Sequence, residues 1–389
     1  MNSVLTLPHV EISGGDRERG RQYGEFAAGR IAVARDFYEA SFGDSLGLTW
    51  DQVRELAGQW LAPSTAFAPD LIDEMHGIAD GAGLDLLDVL ALNARGEVTR
   101  MKRKALPETA EDEHDLDSDG CSSFALLPEA TGDGHVYCGQ NWDWRHAVRD
   151  TVLLLRIVRP GKPTILQHVE AGQVGRQGTN SAGLALNANG LGGRFPGTSI
   201  GVPQPLIRRR VLDSFGPDEA LKVLLEARQD IPSNALITHR DGFAIDLETT
   251  PFAHDWLYPK AGVLVHGNHY QGRIPAQLAD TYRPYSASSL YRVPIIEKGL
   301  AGCAAATDGD TIRKVVHDTM SDHFGTPESV CSHPDPTHAE RRQWSTLLSS
   351  CVDLTDGTYH LTPGMPCEHP YEIAPWNVYD GPDSPTHTR

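Results

Sequence analysis

The sequence predicts a layered α+β domain, and three observations carry that expectation. Apolar side chains recur at helical spacing through the first hundred residues, short strand-like runs take over after Cys121, and Asp-Gly dipeptides separate pairs of those runs. Asp-Gly favours tight hairpins, so the sheets should be largely antiparallel. Antiparallel sheets with segregated helices make a layered α+β architecture.

Taken in order, Tyr23, Phe26, Ile31, Ala34 and Phe37-Tyr38 follow a Gly14-Gly15 entry at near-helical spacing. Thr49-Trp50-Asp51-Gln52 is a capping box, followed by Val53, Leu56, Trp60 and Leu61. Pro69 suits a first helical turn before Leu71, Ile72, Met75 and Ile78, and a further helix is predicted over 85–93. Residues 107–120 then change character. Seven of the fourteen are acidic and one is a strong hydrophobe, so the stretch cannot bury enough to fold and reads as a solvated linker. Strands are predicted at 122–127, 135–142, 151–158, 164–169 and 183–187. Others follow at 235–239 and 243–248 around Asp241-Gly242, at 263–266, and at 347–354 and 358–361 around Asp356-Gly357. Helices interrupt at 206–214, 217–228, 288–298 and 310–321.

Composition narrows the function classes. The net charge of −18 argues against nucleic acid or an anionic membrane as partner. Arg208-Arg209-Arg210 reads as the solvated face of a helix rather than a phosphate site. No segment approaches the roughly 18 apolar residues of a membrane span, and Met1 to Gly20 lacks the apolar region of a signal peptide. The six cysteines show no CxxC pairing and read as free thiols, which makes a cytoplasmic location the default.

The chemistry centres on Cys121. It follows Gly120, the residue type that best tolerates a strained backbone, and it stands at the end of the acidic linker. This placement suggests that the chain cuts its own Gly120–Cys121 bond, leaving Cys121 with a free α-amine beside its thiol. A thiolate is the reactive form of cysteine and needs a base, and an α-amine with a reference pKa of about 7.7–8.0 is suited to that task. A nucleophile served by its own amine is a known variant of the serine–histidine arrangement.

Asp119-Gly120-Cys121, Gln140-Asn141-Trp142-Asp143, Glu170-Ala171-Gly172, Gly178-Thr179-Asn180-Ser181-Ala182-Gly183, Asn187-Ala188-Asn189 and His266-Gly267-Asn268-His269 resemble the acyl-coenzyme A:6-aminopenicillanic acid acyltransferase (isopenicillin-N acyltransferase) family. Leu92-Asn93-Ala94-Arg95 upstream also fits, and the resemblance runs over roughly residues 15 to 355. It implies one N-terminal nucleophile hydrolase domain over 1–389, an αββα sandwich made as a precursor. Fragment 1–120, helical with the linker 107–120, and the sheet-rich fragment 121–389 would stay associated after cleavage. Cys121 would be nucleophile and, through its amine, base; Asp143 would orient that amine, and Asn268 would donate to the oxyanion. Ser233 falls where the family has a serine near the cleavage and substrate site, and Asn189 would be a candidate for a second polar contact. One departure stands out. The fungal penicillin enzyme has an arginine after a Ser-Ile-Cys segment, where this chain reads Ser329-Val330-Cys331-Ser332. His333, Arg341 or Arg342 are candidates to replace that planar cation.

The resulting expectation is a self-processing amide hydrolase or acyltransferase. It forms an acyl thioester on Cys121 and passes the acyl group to water or a small amine. Its partners are a small amide or acyl-thioester and its own two fragments, with no cofactor, metal, nucleic acid or membrane. Competing readings are a Cys–His–Asn thiol hydrolase using Cys121, His266 or His269, and Asn268 without self-cleavage, and a non-catalytic binding protein on the same sandwich. Trp142 reads as core or pocket wall and Cys138 as a packed strand residue. Gly197-Thr198-Ser199-Ile200-Gly201 matches an esterase elbow but lacks the strand and helix that the elbow needs. His266 with His269, or His333 with His338, lacks a third and fourth metal ligand at suitable spacing.

Overall fold

A computed structural model describes residues 4–103, 120–193, 195, 200–284 and 286–380. The linker at 107–119 and residues 197–199 of the elbow motif lie outside the described residues. The helices of the first hundred residues are α1 (Asp16–Leu46), α2 (Trp50–Ala57), α3 (Leu61–Phe67), α4 (Pro69–Ala82), α5 (Leu86–Asn93) and α6 (Arg95–Arg103). The Thr49 capping box is made, and Pro69 occupies the first turn of α4. α1 lies against α4 with almost no side chain between them. A Cβ added to Gly20 would fall 1.9 Å from the Glu74 carbonyl oxygen, and one added to Gly77 would fall 2.0 Å from that of Arg17. Only glycine allows that approach.

Two sheets follow. The eight-stranded sheet is ordered β1 (His9–Ser13), β4 (Val152–Val158), β5 (Ile165–Glu170), β6 (Gln177–Asn180), β7 (Leu184–Asn187), β8 (Ser233–His239), β9 (Phe243–Thr249) and β10 (His254–Leu257). The six-stranded sheet is ordered β11 (Val263–His266), β2 (Ser122–Leu126), β3 (Tyr137–Arg145), β12 (Trp344–Asp353), β13 (Thr358–Leu361) and β14 (Glu372–Ile373). Every pairing is antiparallel except that of β1 with β4. The expected hairpins at Asp241-Gly242 and Asp356-Gly357 join β8 to β9 and β12 to β13.

The sheets face each other through β2 and β8, β3 and β7, and β9 and β11. α1, α7 (Gln204–Leu212) and α8 (Pro217–Glu226) pack on the eight-stranded sheet, and α9 (Ser289–Leu300) and α10 (Gly309–Met320) on the six-stranded one. The order helices–sheet–sheet–helices is the αββα sandwich that the family resemblance implies, and a case of the layered α+β domain that the residue pattern predicts. Alternation along β2 sorts its side chains between layers, as a period of two requires. Phe124 and Leu126 join Ile296, Ile312 and Val316 under α9 and α10, while Cys121 and Ala125 join the main core with Cys138 and Trp142.

The arginine triplet corrects the sequence reading. Arg209 is fully buried and Arg208 nearly so. Arg209 Nη1 donates to Glu74 Oε1 at 3.0 Å, and Arg19 on α1 donates to Glu74 Oε2 at 3.0 Å, so one buried carboxylate ties α1, α4 and α7 together. Arg210 pairs with Asp70 and Asp213. Glu74 and Asp70 lie far away in sequence, which is why the triplet looked solvated.

Candidate active site

Cys121 stands one residue before β2. Ser122 pairs with Asn141 in the antiparallel ladder with β3, and His266 of β11 pairs with Ser123 on the other side. Continuing both registers sets Cys121 opposite Trp142 and Asn268, and Gly120 opposite Asp143. Strand pairing therefore gathers the three segments Asp-Gly-Cys, Gln-Asn-Trp-Asp and His-Gly-Asn-His at one corner. The corner is closed: Cys121, Asp143 and Asn268 are each 1% exposed or less.

Cys121 Sγ lies 3.7 Å from the Asp143 carbonyl oxygen. The Asp143 side chain presses on Gly120, where an added Cβ would meet Asp143 Cβ and Oδ2 at 3.0 Å. Gly120 thus leaves room for a carboxylate beside the bond between residues 120 and 121. Asp143 Oδ1 accepts from Thr346 Oγ1 at 2.6 Å, and Thr346 Oγ1 accepts from the Ser332 backbone N–H at 2.9 Å. Ser332, where the resemblance led us to expect an arginine, acts here through its main chain, while its hydroxyl donates to the Pro327 carbonyl.

A planar cation is nevertheless present, and sequence reasoning missed it. Arg292 of α9 is buried and forked across the corner. Its Nη1 donates to the Gly120 carbonyl oxygen at 2.5 Å, to the Cys121 carbonyl oxygen at 2.9 Å and to Ser122 Oγ at 2.6 Å. Its Nη2 donates to Asn268 Oδ1 at 2.8 Å, and its Nε to Ser288 Oγ at 3.1 Å. Burial lowers its pKa, while Asp143 and Cys121 act the other way. A guanidinium remains charged through such a shift. The only sequence signal was its place on the apolar face of the predicted helix, with Val293 and Ile296. Of the suggested substitutes, Arg341 pairs with Asp44 at the surface, and His333 points at other side chains considered below.

Asn268 donates through Nδ2 to the Gly190 carbonyl oxygen at 3.1 Å. Asn189 bridges the sheets, donating to Ser123 Oγ and to the His266 carbonyl oxygen. Ser233 bonds Asn189 and Asn234 carbonyls and accepts from Arg208. Trp142 is fully buried, stacked on His168 and covered by the Arg176 guanidinium 4.0 Å from its ring. Beside this corner opens a cleft whose walls include Trp144, Gly190, Ser233, Glu97, Arg95, Arg176 and Arg208. Trp144 follows Asp143 by one residue, and Gly190 is the partner of Asn268, so the cleft adjoins the corner. The three arginines come from distant positions, and the sequence shows no such basic cluster.

Of the histidines in the competing thiol-hydrolase reading, His266 is engaged at both ring nitrogens and His269 at one. His266 has Nε2 on Glu248 at 2.9 Å and Nδ1 on the Gly267 carbonyl at 2.8 Å. Burial opposes its charge, but Asp246 and Glu248 outweigh burial and raise its pKa to about 9. His269 Nδ1 is bonded to Ser289 Oγ. Cys138 is pushed up to about 12 by burial, as an inert packed thiol would be. No helix among the described residues is long and apolar enough to cross a membrane.

The family model for acyl-coenzyme A:6-aminopenicillanic acid acyl-transferase matches residues 130–366. The 40 kDa form of acyl-coenzyme A:6-aminopenicillanic-acid-acyltransferase from Emericella nidulans is 29% identical over 272 residues, 67% of this chain and 69% of that protein. Among solved structures, a variant of conjugated bile acid hydrolase from Clostridium perfringens aligns at 15% identity and a TM-score of 0.43, covering 62% of this chain and 89% of that one. Penicillin V acylase from Agrobacterium tumefaciens aligns at 15% identity and a TM-score of 0.44, covering 62% and 82% respectively.

Proposed function

Because the chain belongs to the acyl-coenzyme A:6-aminopenicillanic acid acyl-transferase family, we propose that it is an N-terminal-cysteine acyl-transfer enzyme that makes its own active site by cutting the Gly120–Cys121 bond. The observation that carries this reading is the Arg292 guanidinium on the Gly120 carbonyl oxygen, with the Cys121 thiol next in the chain and the Asp143 carboxylate against Gly120. Cys121 Sγ attacks the Gly120 carbonyl carbon as it gives up its proton, the proton that ends on the Cys121 nitrogen when the C–N bond breaks. The oxygen takes the negative charge and Arg292 Nη1 stabilises it. The amide C–N bond breaks as the Cys121 nitrogen gains a proton, leaving Gly120 as a thioester on Sγ. Water hydrolyses that ester, releasing a Gly120 carboxylate, a free thiol and a terminal amine.

The new amine faces the Asp143 carboxylate, held by Thr346. It takes the thiol proton, Sγ attacks an amide or thioester carbonyl, and the amine returns the proton to the leaving group. Asn268, pinned through Oδ1 by Arg292, offers Nδ2 to the oxyanion. The acyl group on Cys121 then passes to water or to a small amine.

Intact mass and N-terminal sequencing test the proposal, with wild type beside Cys121→Ala. The expected wild type is two chains, one beginning Cys-Ser-Ser-Phe, and the Ala variant is whole. The processed wild type should also gain one acyl group from a generic activated ester, at a rate at least about 10⁴-fold above the variant. A folded wild type that remains one chain would sink self-processing and move the thiol-hydrolase reading ahead.

A further inference from the structure

Two segments distant in sequence, the connection between α10 and β12 and the one after β13, bring four soft donors together outside the active-site corner. His323 follows α10, Cys331 and His333 lie in the loop before β12, and Cys367 follows β13. Cys331 Sγ and Cys367 Sγ are 3.5 Å apart. His333 Nε2 lies 3.8 Å from Cys331 Sγ, 3.4 Å from Cys367 Sγ and 3.0 Å from His323 Nε2. All four donor atoms fall within 4.8 Å of one another.

Hydrogen bonding alone does not account for this convergence. A ring nitrogen offers one N–H or one lone pair in the ring plane, yet His333 Nε2 meets three donors at once. Nor is it a disulfide, since 3.5 Å far exceeds the roughly 2.05 Å of an S–S bond. The spacing instead matches the edges of a tetrahedron around a common centre. Zinc bonds of about 2.3 Å to sulfur and about 2.0–2.1 Å to nitrogen imply edges of about 3.8 Å (S–S), 3.5 Å (S–N) and 3.3 Å (N–N). The loop is folded to present these groups: the Cys331 N–H donates to the Asp322 carbonyl and the His333 N–H to the Pro327 carbonyl.

We propose that His323, Cys331, His333 and Cys367 form a Cys₂His₂ site for one zinc ion. Two thiolates and two neutral imidazoles suit a borderline-soft divalent cation, and tetrahedral sulfur–nitrogen geometry selects zinc over the harder ions. Binding releases the protons of Cys331 and Cys367 and leaves the site neutral overall. With all four positions filled by protein the ion has no open position for substrate, so its role is structural. It fastens the 323–333 loop to the segment around Cys367. Ser332, between two of the ligands, then holds Thr346 against Asp143. His338, which the sequence pairs with His333, is not in the cluster.

The test uses tag-free protein loaded with zinc chloride, desalted and measured by elemental mass spectrometry. About one zinc per chain is expected, falling below about 0.1 in Cys367→Ser and in His323→Ala. Both of those residues are exposed, so circular dichroism should show the variants folded. Replacing zinc by cobalt(II) should give the visible bands of a tetrahedral ion and a sulfur-to-cobalt charge-transfer band, both lost in Cys367→Ser. The proposal is overturned by a wild type that retains less than about 0.1 zinc. It is equally overturned by variants that keep the metal, or by a Cys331–Cys367 disulfide in freshly purified protein. The Cys121→Ala chain should bind zinc as wild type does, which separates this result from self-processing.

Discussion

The corner at Gly120–Cys121 and the four-donor cluster are joined by three hydrogen-bonded groups, yet they are built by opposite means. Cys121, Asp143, Asn268 and Arg292 are at most 1% exposed and hang on adjacent strands or on the helix packed over them. His323 and Cys367 are exposed and hang on loops. In the first region the ladder fixes the geometry before any ligand arrives, and a fork of charge-assisted hydrogen bonds locks it. In the second, no ladder sets the distances, and an ion would supply the order that strands supply next door. Rigid scaffolding and bound metal are thus two answers to one problem, the placement of the segment that holds Asp143.

Arg292 breaks the comparison most severely, because it belongs to the corner alone. Arg292→Met should slow conversion of precursor into fragments by about 10²–10³-fold, the scale of losing one oxyanion partner, and leave the zinc content unchanged. Arg292→Lys should recover part of the rate. An ammonium reaches the Gly120 carbonyl but cannot also span Ser122 and Asn268 as a planar fork does. Time courses of cleavage on gels read both variants, and wild-type rates in Arg292→Met would remove the guanidinium from the mechanism.

The two regions should also answer pH in opposite directions. The folded pKa of His266, raised to about 9 by Asp246 and Glu248 against its burial, exceeds the ordinary 6.5. Its stabilisation is complete below the unfolded value and is lost as pH rises through the folded one, a fall of about 2 kcal/mol between about pH 7 and pH 9. Zinc binding gains over the same interval, because protons leave the thiols. Denaturant midpoints of zinc-free protein should therefore decline across that window, and His266→Gln should flatten the decline. A slope unchanged by the substitution would show that His266 does not carry it.

What could be read beforehand follows the same division. Cys121, Asp143 and Asn268 stand in contiguous motifs that the resemblance singled out, whereas the pairing of β2 with β3 and β11 that gathers them was not read from the sequence. Arg292 stands alone in a helix, and its partners are carbonyls that no residue type announces. The Arg208–Arg210 triplet was misread because Glu74 and Asp70 lie on α4, more than a hundred residues earlier. β1 contributes one buried side chain, Ile12, and pairs with a strand far along the chain, too weak a pattern to predict. The four metal donors share no motif spacing, because loops, unlike strands and helices, impose no period on the residues they bring together.

Thr346 is where the two regions meet, so it tests whether they are one device. Its hydroxyl donates to Asp143 Oδ1 and accepts from the Ser332 N–H. Thr346→Val retains the shape but removes both bonds, leaving a buried N–H and a carboxylate oxygen without that partner. Cleavage and acylation should each slow about tenfold, the effect of losing a hydrogen bond to a charged group. Stripping zinc from the wild type should move both rates the same way by less, because the loop loosens but Thr346 remains. In Thr346→Val the chelator should then add little, since the link through which the loop acts is already cut. Equal effects of the chelator on wild type and Thr346→Val would mean that the loop reaches the corner by another route, and no effect on either would leave the cluster a local staple.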